Sequence, residues 1–131
     1  MPYPTTLRYT RSHEWVEEVP GGGVRIGITD FAQDQLGDIV HVELPAVGRR
    51  LAAGEVFGVV ESVKTVGDLY APVAGTVAEV NVALDDAPEV VNGDPHGAGW
   101  IVRLEDADLD AGSGELMDAA AYEELIAGSG H

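Results

Sequence analysis

Lys64 is the only lysine among 131 residues, and it stands in the one stretch whose residue types suggest covalent chemistry. The other six basic side chains are Arg8, Arg11, Arg25, Arg49, Arg50 and Arg103. A guanidinium stays protonated and is a poor nucleophile, whereas an ammonium on a flexible stem can lose its proton and be acylated. A drift of the genome towards arginine explains the missing lysines but not the one retained. The histidines carry less. His13 beside Glu14, His41 and His96 could serve acid–base chemistry with the many carboxylates, yet no pair has the H-x-x-x-H spacing of a helical zinc site and His131 is terminal. His41 alternates on a strand-like run and reads as a partly exposed structural residue. The chain has no cysteine, which removes disulfides, thiolate catalysis and cysteine-ligated zinc. An enzyme working with its own side chains is the weaker reading; turnover by the purified protein without cofactor or partner would favour it.

Lys64 must be positioned by what flanks it. An apolar run at 55–62 leads into Ser62-Val63-Lys64-Thr65, and a second at 67–71 leads to Ala71-Pro72-Val73-Ala74-Gly75. This predicts a hairpin with Lys64 at its exposed tip, where a modifying enzyme can engulf the amine while the fold stays intact. For a hairpin taken alone, an ordinary turn lysine is the stronger reading. Around it, 14–19 and 24–28 flank Pro20-Gly21-Gly22-Gly23 as a second hairpin. Asp30 as N-cap, Gln33 three residues on and Gly37 as the stop predict a short helix. Further strands are expected at 39–44, where Val40, Val42 and Leu44 alternate with Ile39, His41 and Glu43, and at 75–81 and 100–104. Leu84 to Pro88 reads as a turn or short helix, and Gly93 to Gly99 as a Gly-rich loop. A C-terminal helix over about 114–127 carries an apolar stripe of Met117, Ala121, Tyr122, Leu125 and Ile126 that should pack on the sheet. Trp15 and Trp100 read as packing residues. No linker divides the chain, so 1–131 is expected to form one mainly β domain, a sandwich or flattened barrel.

Seven Lys+Arg against 23 Asp+Glu give a formal net charge of −16. Such a surface repels phosphate backbones and anionic membranes, so neither nucleic acid nor membrane is an expected partner. The charge suits solubility or steering towards basic partner proteins. No run approaches the ~20 apolar residues of a membrane span. Met1-Pro2-Tyr3-Pro4 has no basic n-region followed by an apolar stretch, so a cytoplasmic location is expected.

Gly48 lies sixteen residues before Lys64, Gly75 eleven after it and Glu61 three before it, with Ala71-Pro72 between. This spacing resembles the lipoyl/biotinyl carrier family. Biotin carriers typically have methionine on both sides of the lysine, and the lipoyl domains of 2-oxo acid dehydrogenases have Asp before it and Ala after; here Val63 and Thr65 occupy those places. Glu61-Ser62-Val63-Lys64 is instead similar to the H proteins of the glycine cleavage system. So are Tyr9, Ser12-His13-Glu14-Trp15-Val16, Gly27-Ile28-Thr29-Asp30, Ala32-Gln33, Leu36-Gly37, Val42-Glu43-Leu44-Pro45, Val80-Asn81, Val91-Asn92 and Gly99-Trp100. The resemblance runs from about Leu7 to the C-terminal helix. Two places depart from it: His96-Gly97-Ala98, where members often carry Tyr and acidic residues, and Gln35, where some carry His.

The resemblance implies a flattened barrel-sandwich hybrid of two antiparallel sheets with the lysine on a hairpin, short helices and a C-terminal helix. It implies lipoate joined as an amide to Lys64, an arm of ~15 Å by summed bond lengths. Its partners would be a pyridoxal-phosphate glycine decarboxylase that loads an aminomethyl group, a tetrahydrofolate-dependent aminomethyltransferase that unloads it, a dihydrolipoamide dehydrogenase using FAD and NAD, and the lipoyl-attaching enzymes. Glu61 would aid recognition by the attaching enzyme. Ser12, Glu14 and Asp68, with Gln35 ranked below them, would line a cleft where the loaded arm rests. The cofactor would carry the hard chemistry, and the chain would be a carrier rather than an enzyme. A related reading is an H-like protein that donates lipoyl groups to other enzymes; neighbouring genes or copurified enzymes separate the two.

Overall fold

Runs of β-branched and aromatic residues, each closed within a few positions by Gly, Pro or Asp, favour short strands over long helices. The computed structural model describes residues 4–20, 23–108 and 116–128. In chain order these form β1 (Arg8–Tyr9), β2 (Glu14–Glu18), β3 (Val24–Ile28), α1 (Asp30–Leu36), β4 (Ile39–Glu43), β5 (Arg50–Leu51), β6 (Val56–Ser62), β7 (Val66–Tyr70), β8 (Ala74–Val80), α2 (Ala83–Asp86), α3 (Val90–Gly93), β9 (Val102–Asp108) and α4 (Ala119–Gly128). Six strands pair in the order β1-β2-β3-β9-β8-β5, and three in the order β4-β6-β7. Every pairing is antiparallel. Ile26, Val77 and Leu104 from the larger sheet share one core with Val42, Val60 and Leu69 from the smaller. The result is the expected flattened barrel-sandwich. Among the described residues no helix is long and apolar enough to cross a membrane.

A second cluster forms where β1 and β2 meet α4: Leu7, Tyr9, Trp15, Ala119 and Tyr122. The Tyr9 and Tyr122 rings stack with centroids 4.8 Å apart. Trp15 is fully buried, and its Nε1 donates to the Pro95 carbonyl at 2.9 Å. Trp100 is half-buried with the Arg25 guanidinium 5.4 Å from its ring centroid.

Several elements differ from expectation, each for a local reason. The N-cap of α1 is Thr29, whose hydroxyl accepts from Ala32 N–H; Asp30 is the first helical residue and accepts from the Gln33 amide. The C-terminal helix starts at Ala119 rather than about 114, because Met117 exchanges backbone hydrogen bonds with Tyr9 and Asp118 then caps the helix through Ala121 N–H. Residues 114 and 115 lie outside the described residues, as do Gly21 and Gly22 of the first hairpin. In β4 the pairing register shifts between Ile39 and His41. Ile39 and Val42 therefore face the core, while Val40 and His41 are both exposed, against simple alternation.

Gly58 illustrates how closely the smaller sheet is packed. A Cβ there would collide with the Glu43 carbonyl oxygen, a backbone atom that cannot swing aside. Gly58→Ala is expected to lower stability by ~1–3 kcal/mol in thermal or urea denaturation. Gly93→Ala, where a Cβ meets nothing within 4 Å, should stay within ~0.5 kcal/mol of the parent. Equal melting of the two variants would show that the sheet absorbs the extra methyl.

Candidate functional site

The hairpin of β6 and β7 pairs Glu61 with Val66, leaving Ser62 to Thr65 as its turn. Ser62 N–H donates to the Thr65 carbonyl at 2.8 Å, and the Ser62 hydroxyl oxygen accepts from the amides of Lys64 and Thr65 at 3.3 and 3.1 Å. Val63 N–H donates to the Asp38 carbonyl at 3.1 Å, tying the tip to the segment after α1. The backbone of the turn is thus fixed, while the Lys64 side chain is exposed.

That side chain leans towards Gly37, which closes α1 with φ +83 and its N–H on the Gln33 carbonyl at 2.9 Å. A Cβ on Gly37 would lie 3.4 Å from Lys64 Cε, so the bare glycine leaves the lysine stem its path. Asn92 of α3 holds this end of the helix. Its Nδ2 donates to the Gly37 carbonyl and to Gln33 Oε1, and its Oδ1 accepts from Ile39 N–H. At the other end, His96 Nε2 accepts from Asp30 N–H at 3.0 Å. Burial lowers the pKa of His96, with Asp30 and Asp94 acting in the opposite direction. The departure from the family pattern at 96 therefore supplies a second acceptor at the N-terminus of α1. Sequence gave no hint of this, because the two residues are 66 positions apart.

A cleft of about 360 Å³ runs along α1 between that helix, β7 and the β1–β2 turn. Ser12, Glu14, Gln35 and Asp68 all line it, together with apolar Phe31 and Leu36. Glu61 does not; it sits on the exposed side of the hairpin between His41 and Val66. At 1.5 Å per residue, the six residues from Gly37 back to Phe31 span ~9 Å. An acyl extension on the Lys64 amine can cover that distance.

Glu14 is the unusual group of the cleft. It is 1% exposed. The hydroxyls of Ser12 and Thr10 donate to Oε1, and Tyr70 N–H donates to Oε2 at 3.2 Å. No cation pairs with it: the ion pairs among the described residues are Arg49–Glu55, Arg103–Glu79 and Arg103–Glu105. Burial pushes its pKa up to about 7, against the hydrogen bonds that favour the charged form. Ser12, Gln35 and Asp68 are exposed around it. A buried carboxylate that has donors but no counter-ion is suited to receive a small cation entering from the cleft.

His13, beside Glu14 in sequence, also lines the cleft. Its φ is +71, a left-handed conformation strained for a residue with a side chain. Its N–H donates to the Thr10 carbonyl and its carbonyl accepts from Thr29 N–H. The ring rests 4.8 Å from that of Phe31, and burial lowers its pKa.

Comparison with known proteins gives a consistent result. The family model described as "Glycine cleavage H-protein" matches residues 7–129. The glycine cleavage system H protein of Chlorobium limicola is 58% identical over 127 residues, covering 96% of this chain and 98% of that one. That of Nocardia farcinica is 54% identical over 128 residues, covering 95% and 97%. Among solved structures, a glycine cleavage system H protein from Mycobacterium marinum superposes with a TM-score of 0.86 at 44% identity, covering 95% of this chain and 99% of that one.

Proposed function

Since the chain belongs to the glycine cleavage H-protein family, a family of lipoyl-bearing carriers rather than catalysts, we propose that its lipoate is attached to Lys64 and that the cleft beside α1 shelters the loaded arm. The observation that carries this reading is the path from the exposed Lys64 amine, over the bare Cα of Gly37, to a cleft that ends on the uncompensated carboxylate of Glu14. The residues present fit the group. The turn presents the amine on fixed backbone, and apolar Phe31 and Leu36 offer a surface for the hydrocarbon arm.

When bound, the dithiolane would supply the sulfur that takes an aminomethyl group from a pyridoxal-phosphate glycine decarboxylase and yields it to a tetrahydrofolate-dependent aminomethyltransferase, with reoxidation by a dihydrolipoamide dehydrogenase using FAD and NAD. The chain's own residues bind, orient and exclude water. Ser12 and Thr10 aim their hydroxyls at Glu14 Oε1 and hold the carboxylate in place. An ammonium brought beside it supplies the missing positive charge, so Glu14 stays ionised and the amine stays protonated. Asp68 adds a second carboxylate at the mouth of the cleft. Gln35 can hydrogen-bond but carries no charge, so its contribution ranks below those of the two acids.

Intact mass tests the reading directly. Incubation with lipoate and a ligase should add one lipoyl group, and subsequent incubation with glycine and the decarboxylase should add one aminomethyl group to that species. Failure of the first addition would overturn the assignment of Lys64. Glu61, outside the cleft, is the proposed recognition point for the attaching enzyme. Glu61→Ala should slow lipoylation in a time course while leaving the melting temperature unchanged, because an exposed charge adds little to folding. An unaltered lipoylation rate would reduce Glu61 to a surface charge.

A further inference from the structure

We propose that the hydroxyl of Tyr122, on the C-terminal helix, is a positioning group for the cleft, holding His13 neutral with its hydrogen on Nε2 and fixing the N-cap of α1. Tyr122 Oη lies 2.8 Å from His13 Nδ1 and 2.7 Å from Thr29 Oγ1. These contacts join residues 109 and 93 positions apart, and both Tyr122 and Thr29 are fully buried. One hydroxyl therefore ties together a cleft-lining side chain, the start of the helix that walls the cleft, and α4.

Counting hydrogens gives the direction of the chain. Thr29 Oγ1 already accepts from Ala32 N–H, and among the described residues the acceptor in reach of its own hydrogen is Tyr122 Oη. Were Tyr122 to donate to Thr29 instead, a buried threonine hydroxyl would keep an unused hydrogen, which is costly. Thr29 thus donates to Tyr122, which on this proposal directs its own hydrogen to His13 Nδ1, 2.8 Å away. A neutral imidazole with Nδ1 accepting carries its hydrogen on Nε2. The lowered pKa of the half-buried ring agrees with the neutral form. The strained backbone of His13 gives this contact further purpose. A ring that accepts from a buried hydroxyl cannot relax out of the left-handed turn without breaking a bond.

The consequence is that α4 forms part of the frame of the cleft without lining it. Tyr122→Phe retains the ring stacked on Tyr9 and removes only the hydroxyl. The first test uses the chain without cofactor and is independent of the carrier reading. Nitrogen-15 NMR of wild type near neutral pH should show His13 Nδ1 unprotonated and Nε2 protonated. In Tyr122→Phe the two nitrogens should move towards a mixture of tautomers, and exchange of the Ala32 amide should quicken roughly five- to tenfold, the net worth of about one hydrogen bond. Thr29→Val, which removes the other end of the chain, should reproduce the same His13 change, and Thr29→Ser should restore it. A wild-type His13 protonated on Nδ1, or tautomers unmoved in both Tyr122→Phe and Thr29→Val, would overturn the proposal. The second test rests on the carrier reading: loaded Tyr122→Phe should lose its aminomethyl group several-fold faster than loaded wild type, with lipoylation unaffected. Normal retention beside an altered His13 spectrum would remove Tyr122 from the protection of the arm. Absence of lipoylation in wild type would instead count against Lys64 and leave the tautomer result standing.

Discussion

Replacing Lys64 with Arg is expected to leave the fold untouched while removing every lipoyl adduct and reducing a reconstituted glycine cleavage assay to background. The side chain is exposed, and its ammonium makes no ion pair or hydrogen bond within the described structure. The turn around it is held by Ser62 and Asp38, neither of which depends on the lysine head group. Stability should therefore change by less than ~0.5 kcal/mol, as for other surface substitutions. Arginine keeps the charge and much of the stem but offers no acylatable amine. With no other lysine in the chain, no neighbour can substitute. Intact mass after incubation with lipoate and a ligase measures the outcome, and an adduct surviving in this variant would refute the attachment site.

A second large effect is expected from Glu14→Gln combined with Asp68→Asn, which should lipoylate normally but lose ammonia and formaldehyde faster once loaded. On the proposed function, Glu14 and Asp68 would hold the nitrogen of a loaded arm, whose free lone pair would otherwise promote loss of the group from sulfur. A proton on that nitrogen removes the lone pair, and a nearby carboxylate stabilises the protonated form. Taking a hydrogen bond to a charged group as ~1.5–3 kcal/mol, the rate should rise roughly ten- to hundredfold. Equal decay of loaded wild type and double variant, with the transferase absent, would refute the role.

Glu14 also has a signature in the unmodified protein. Its carboxyl is raised from 4.5 to about 7, so between those values the folded chain holds a proton that the unfolded chain has released. The group's contribution to stability is therefore present at low pH and lost as pH rises through about 7, by roughly 3 kcal/mol over the window. Urea denaturation of wild type and Glu14→Gln should show wild type losing ground to the variant by that order as pH increases. A constant difference would mean that Glu14 is ionised in the folded state across the range.

The lysine hairpin and the two-sheet architecture were legible because they rest on local signals: runs of alternating residues, turn residues, and one amine in an unusual setting. The N-cap of α1 was misassigned by one position because Thr29 and Asp30 are both good caps, and only the observed Ala32 bond distinguishes them. The bulge in β4 was hidden because Val40 and Val42 satisfy a perfect alternation on paper. Met117 belonged to an apolar stripe of helical period, yet its backbone is claimed by Tyr9, a partner 108 residues away. The burial of Glu14 was least visible. The first half of β2 is covered on both faces, with Trp15 in the cluster under α4 and Val16 in the main core, so Glu14 is enclosed while Glu18 at the far end of the same strand stays exposed. Tyr122 reads from sequence only as part of a stripe, since the partners of its hydroxyl, His13 and Thr29, lie at the opposite end of the sequence.

The bond from Tyr70 N–H to Glu14 has a bearing on self-association as well. β7 is one margin of the smaller sheet, pairing among the described residues with β6 alone. Such a margin offers backbone donors and acceptors to the corresponding strand of another molecule, the first step towards edge-to-edge aggregation. Here the terminal amide of β7 is already taken by a carboxylate from the other sheet, and Asp68 places a charge midway along the strand. On the proposed function, a hairpin kept open to other enzymes would otherwise present a ready template for zipping to its own copies. The acids at the cleft thus blunt the open margin beside the Lys64 hairpin.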